Sequence, residues 1–190
     1  EKAVARELAA GDFATASDRE VFSGARLATP SDLSVSGMAA SAVPGHPTWA
    51  VAVPFDGIGA SDPDGAVAAG ECFEFALAPL AGEALSLADI SFEHSRTGTS
   101  ESATFFLRSS ADGYAATLGA APAGGPNAWN ESSFPLAAVP ALQNRVAPVT
   151  LRLYVCRPAR TPAPQGRLAI DNIRVRGSAS PAAKTGSPSR

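Results

Sequence analysis

Five side chains have the chemistry that grips a sugar ring. Trp129 and Tyr154 offer flat aromatic faces, and Arg108, Arg152 and Glu74 offer charged partners for hydroxyl groups. Trp129 stands in a stretch rich in proline and glycine. There it serves either as a lid over one end of a domain or as an exposed platform. Trp49 is a further aromatic, but its strict alternation with Val51, Val53 and Phe55 predicts burial.

Metal and catalytic patterns fare worse. Asp56, Asp62 and Asp64 suggest a calcium loop, yet counting from Asp62 puts Ala66, Val67 and Phe73 where that loop needs a ligand, a glycine and a glutamate. Asp64 is instead expected to cap a short helical turn that Gly70 ends. Asp171, next to Asn172 in the last apolar run, is either a ligand of a structural calcium ion or a side chain that satisfies a bulged backbone. A nucleophilic mechanism needs a positioned base, and the imidazoles are His46, in a Pro-flanked turn, and His94, expected on the polar face of a strand. Glycoside hydrolysis needs facing carboxylates, for which Glu74 and Glu93 are the candidates. No glycine-rich phosphate loop follows a strand and opens a helix, so the expectation is a protein that is not an enzyme. Cys72 and Cys156 both fall in strand patterns. They form a disulfide if the strands adjoin in an oxidising compartment, or remain two buried thiols.

These residues must be positioned by strands. In residues 71–113, Phe73, Phe75 and Leu77 alternate with Glu74 and Ala76, the period of two that faces one side to a core. Leu85 and Leu87 share one parity while Ile90 and Phe92 share the other, which predicts a β-bulge near Ala88-Asp89. Phe105 and Leu107 point inward, Phe106 and Arg108 outward, and Asp112-Gly113 turns the chain. Residues 119–133 read as irregular. Pro135 and Pro140 make the next run an edge strand or a descending loop. Val149, Leu151, Leu153 and Val155 point inward, and the parity change from Leu168 and Ile170 to Ile173 and Val175 marks a second bulge at Asp171-Asn172. Residues 1–10 carry the helical spacing of Val4 and Leu8, and residues 12–29 offer Phe13, Val21, Phe22 and Leu27 as anchors without a clear period.

The runs DGAVAAGECFEFALAP, LSLADISFEHSRTGT, LRSSADGYAATLGA, VTLRLYVC and RLAIDNIRVRG resemble the jelly-roll β-sandwich modules of exported planctomycete and verrucomicrobial proteins. The resemblance covers residues 63–177. Such modules often precede a C-terminal sorting and anchoring signal, and they carry no catalytic motif to transfer. The resemblance therefore implies export and a cell-surface or extracellular location.

Composition agrees with that architecture. The 190 residues are 45% hydrophobic, with 17 Gly and 16 Pro against 17% charged residues, which suits many short strands and turns in one core. A net charge of −3 excludes the concentrated basic face of a nucleic-acid binder. No apolar run reaches the roughly 18 residues of a membrane span. The expected organisation is an N-terminal helix or linker over residues 1–30, an all-β Greek-key jelly-roll sandwich of eight to ten antiparallel strands over 31–177, and a low-complexity tail over 178–190. The expected role is a non-catalytic structural or adhesive module that contacts other copies of itself or cell-surface proteins. The alternative is a carbohydrate-binding module whose partner is a polysaccharide.

Overall fold

The computed structural model describes residues 6–11, 23–24, 28–30, 34–36, 38, 41–42, 51–99, 101–159 and 165–183. Five short strands come first: β1 Arg6–Gly11, β2 Ser23–Gly24, β3 Ala28–Pro30, β4 Ser34–Ser36 and β5 Ser41–Ala42. Then follow β6 Val51–Pro54, the helix α1 Pro63–Ala69, β7 Cys72–Pro79, β8 Glu83–Thr97, β9 Thr104–Ser109, β10 Gly119–Pro122, β11 Trp129–Pro135, β12 Val149–Cys156 and β13 Arg167–Pro181.

The strands make two antiparallel sheets. Sheet A runs β11-β8-β13-β1-β2, with β6 also on β13 and β5 on β6; sheet B runs β10-β9-β12-β7-β3, with β4 also on β7. From β6 onward the chain crosses from sheet to sheet at β6 to β7, β7 to β8, β8 to β9, β10 to β11, β11 to β12 and β12 to β13. The protein is a jelly-roll β-sandwich. Its strands outnumber the eight to ten expected because the two- and three-residue pieces before β6 are too short to leave a hydrophobic period.

The core lies between the sheets. Sheet A supplies Leu85, Leu87, Ile90, Phe92, Leu168, Ile170, Ile173 and Val175, and sheet B supplies Phe73, Phe75, Leu77, Phe105, Leu107, Leu151 and Leu153, each at most 2% exposed. At about 1.5–3 kcal/mol for each fully buried apolar side chain, this alternation is the main source of stability.

Both expected bulges are present. Asp89 pairs with Arg176 and Leu87 with Gly177, so Ala88 is the extra residue, and its carbonyl accepts from Leu136 and Ala137 N–H at 2.7 and 3.0 Å. On β13, Asp171 pairs with Glu93 and Arg174 with Ser91, and the extra residue Asn172 takes φ 49°. Each bulge resets the parity, which is how Ile90 and Ile173 stay inside.

Other expectations change. Of the expected helix over residues 1–10, residues 1–5 lie outside the described residues, and the rest is strand: Arg6–Gly11 form β1, hydrogen-bonded to β13. One or two helical turns are too short to hold alone, whereas a long neighbouring strand offers every backbone group a partner. The irregular stretch 119–133 contains β10 and the start of β11, which pair along β9 and β8. Gly119 is needed where it stands, since a Cβ there would fall 2.6 Å from the Phe134 ring. The last strand continues past residue 177 to Pro181, opposite Glu83. The helix cap is Asp62 and not Asp64: Asp62 Oδ1 accepts from Gly65 N–H at 2.8 Å, and Gly70 closes the helix at φ 69°. His46, Trp49, Phe13, Val21, Phe22 and Leu27 lie outside the described residues.

Candidate functional site

The sugar-gripping candidates fall on opposite faces of the sandwich. Arg108, Arg152, Glu74 and Tyr154 share the outer face of sheet B, because β9, β12 and β7 are neighbours and these positions have the outward parity. Trp129 is on the outer face of sheet A.

On sheet B, Glu74, Arg152 and Arg108 form one cross-strand row. Two arginines directly opposite each other repel. The row is held by what surrounds it: Arg152 Nε donates to Glu74 Oε2, and the Arg152 guanidinium lies 4.0 Å from the centroid of the Tyr114 ring. Arg108 donates to the Tyr114 carbonyl at 2.9 Å and reaches Asp64 at 3.5 Å. Burial works against the Arg152 charge, but hydrogen bonds to Tyr154 and Glu74 raise its pKa above the ordinary arginine value. Tyr114 was not among the sequence candidates. Its only local signal is its place just after Asp112-Gly113, where it adopts φ 64°, uncommon for a residue with a side chain.

Tyr154 cannot be a platform. It is 0% exposed and stacks on Phe106 with centroids 5.2 Å apart and planes at 10°. Helix α1 covers both, packing Ala66 and Val67 against them with Ala60, Cys72 and Cys156. The buried Glu71 carboxylate fastens this cover by accepting from Gly59 and Ala60 N–H, each at 3.0 Å. Outward parity was legible for Tyr154; a helix folded across that face was not.

The cysteines are free thiols, not a disulfide. Cys72 pairs with Tyr154, which sets Cys156 diagonally from it, about 7–8 Å away by sheet geometry and too far for a relaxed bond. Burial pushes the Cys72 thiol up to about 11 and raises that of Cys156 as well. We expect a thiol reagent at pH 8 to leave both cysteines of the native protein unmodified and to titrate both once urea is added. Finding none in urea would show a bond after all.

The histidine and carboxylate candidates do not assemble. His94 shares the inward parity of Ile90 and Phe92, so it is buried at 1% exposure and not on a polar face. Gly124 N–H donates to its Nδ1 at 3.2 Å, which leaves the proton on Nε2 to donate to Ser132 Oγ at 2.9 Å. Burial, and then the charge of Arg96, lower its pKa. Glu74 and Glu93 lie on different sheets, facing away from one another. Asp171 Oδ1 accepts from Asn172 N–H at 2.7 Å, the local bond that steadies the bulge. Among the described residues, no three His, Cys, Asp or Glu side chains are grouped to hold a metal ion. No described helix is long and apolar enough to cross a membrane.

Sheet A carries a second arrangement. One outward row runs Trp129, Ser95, Ala169, Ala52 across β11, β8, β13 and β6. Trp129 packs against the cluster that Ala169 and Ala52 form, and since Ala169 stands two strands away the indole reaches across β8, where Ser95 stands in the same row. The small residues make its floor: Ser95 is 3% exposed, Ala169 4% and Ala52 0%, while Trp129 itself remains half-buried. The next row runs Glu131, Glu93, Asp171, the last fully buried, and Asn172 Nδ2 donates to Glu93 Oε2 at 2.8 Å. Serines 133 and 91 follow. The arrangement is a half-buried aromatic side chain beside a row of hydrogen-bonding groups.

The fold and this face define a β-sandwich module with an aromatic and polar outer sheet. No known protein family and no curated protein matches the chain. Solved structures of similar outline include a family 61 carbohydrate-binding module in complex with β-1,4-galactotriose, 13% identical, covering 77% of this chain and 87% of that one at a TM-score of 0.42. A family 11 carbohydrate-binding module from Clostridium thermocellum, bound to a β-1,3-1,4-mixed-linked tetrasaccharide, is 11% identical over 88% of this chain and 95% of its own, at 0.43. The K1 cleaved adhesin domain of Lys-gingipain from Porphyromonas gingivalis is 11% identical over 93% and 99%, at 0.46. Likeness at this level decides nothing about ligand or activity.

Proposed function

We propose that this chain is a non-catalytic, exported module that holds a polysaccharide on the outer face of sheet A. One observation carries the reading: the Trp129 indole packs on the small-residue cluster of Ala52 and Ala169 beside the Glu131–Glu93–Asp171 row, with Asn172 bonded to Glu93. The apolar face of a pyranose ring stacks on such a surface, and its equatorial hydroxyls need acceptors and donors at the rim. Glu131 is exposed and Glu93 is oriented by Asn172. The rival reading, a self-assembling structural subunit, calls for a contiguous apolar patch. Among the described residues, the exposed large hydrophobics are Leu80 and Val146, too little for a stable interface.

The test is affinity electrophoresis through gels containing neutral polysaccharides (soluble β-glucan, xylan, galactan), followed by calorimetry on whichever retards the protein. Trp129→Ala is expected to weaken binding by about 30-fold or more, the loss typical of a central aromatic anchor. Val146→Ala, a change at a 66% exposed position, should leave it unchanged. A wild-type protein that migrates freely in every gel, or a Trp129→Ala variant retarded as strongly as wild type, overturns the reading.

A further inference from the structure

Next to the N-terminal end of β11, on the same edge of sheet A, lies a shallow, open cavity of about 300 Å³ lined by Gly98, Thr99, Pro126 and Asn127. Asn127 precedes Trp129 by two residues, in the turn that leads into β11. Pro126 bridges Arg96 and Asn127 N–H donates to the Arg96 carbonyl at 2.6 Å, so the far wall is tied to the end of β8. Arg96 Nε also donates to the Gly124 carbonyl, and His94 accepts from Gly124 N–H. The segment between β10 and β11 is thus held at three backbone points.

Two glycines fix the backbone at one wall. Gly98 takes φ 72° and Gly166 φ 114°, and they pack backbone to backbone: a Cβ on Gly166 would fall 2.4 Å from the Thr97 carbonyl oxygen and 3.0 Å from the Thr99 side chain. Only glycine fits such an approach. The named lining carries no charge. It offers the Thr99 hydroxyl, the Asn127 amide and the ring of Pro126, the mixture that suits a neutral, hydroxyl-bearing ring. The volume is at the small end of ligand sites, room for one ring and not for a branched chain.

We infer that this cavity is a second subsite for the same ligand, receiving a neutral sugar unit next to the one stacked on Trp129. The inference rests on the proposed polysaccharide reading, and it makes the ligand a neutral linear glycan contacted over at least two successive units. The Asn127 amide hydrogen-bonds a hydroxyl of the unit in the cavity, and Pro126 packs on its edge.

The discriminating experiment measures affinity against oligosaccharide length. The probes are oligomers of one to six units from the polysaccharide that retards the wild-type protein most. Asn127→Gly removes the amide while keeping φ 59° unstrained, and Thr99→Trp fills the opening. For wild type, affinity should step up once the oligomer is long enough to reach both subsites. Asn127→Gly should weaken those longer oligomers by about three- to tenfold, the worth of one good hydrogen bond, and leave the shortest probe unaffected. Thr99→Trp should abolish the step with Trp129 stacking intact. If both variants match wild type at every length, or if they weaken the shortest probe as much as the longest, the second subsite is wrong while the Trp129 platform stands. If wild type is retarded by no polysaccharide, both fall.

Discussion

Replacing Phe92 by alanine is expected to destabilise the domain by about 3–5 kcal/mol, a large part of the 5–15 kcal/mol that a domain of this kind has to lose. Phe92 is where the two sheets meet. Its ring contacts Phe105 of sheet B edge-on at 5.1 Å and Phe134 of β11 at 5.8 Å, with His94 at 5.6 Å. It is 0% exposed, so truncation opens a cavity bounded by both sheets that neither can close alone. Phe106→Ala is the comparison. That ring is as deeply buried at 1%, but it lies outside sheet B under α1, a single seven-residue helix and not a second sheet. The loss there should be smaller, about 2–3 kcal/mol, since a site that can collapse recovers part of the cavity cost. Urea midpoints and slopes of the two variants and wild type check the order. Equal losses would mean that the α1 cover is as rigid as the central core.

Sheet B and the long strands of sheet A could be read from the chain because each buries one face. Phe73, Phe75 and Leu77 or Val149, Leu151 and Leu153 announce themselves by parity, and a parity change at Ala88 or Asn172 has no other economical cause than a bulge. Strands β1, β10 and the start of β11 left no such trace. Apart from Leu8 and Trp129 their residues are small or polar, with no alternation, and what makes them strands is the neighbour they pair with. The outer faces were the hardest to read. Outward parity says that a side chain leaves the core, not whether something folds over it: it placed Arg152 and Tyr154 correctly, then missed that α1 buries Tyr154 and that Tyr114 covers Arg152. Trp129 was one of two readings, lid or platform. Its floor could not be read either, because Ala52, Ser95 and Ala169 come from three segments and have no pattern in sequence.

Acid should loosen the fold through His94. Its folded-state pKa lies below the ordinary 6.5, first because burial disfavours the imidazolium and second because Arg96 is near. The unfolded chain therefore binds the proton before the folded one does. Stability contributed by neutral His94 is complete above about pH 6.5 and declines as the pH falls toward the depressed folded value, by up to about 1.4 kcal/mol per pH unit. The geometry gives the same sign. Protonation at Nδ1 would set a second N–H against the Gly124 N–H that now donates to it, breaking one of the ties on the segment between β10 and Trp129. His94→Gln can keep both bonds, its carbonyl accepting from Gly124 and its amide donating to Ser132, but it does not titrate. Urea denaturation at pH 7.5 and pH 5.0 is the measurement, since carboxylates titrate mainly below that window. Wild type should lose stability between the two and His94→Gln much less, whatever its absolute stability. Equal losses would place the acid sensitivity elsewhere and leave His94 a packing residue only.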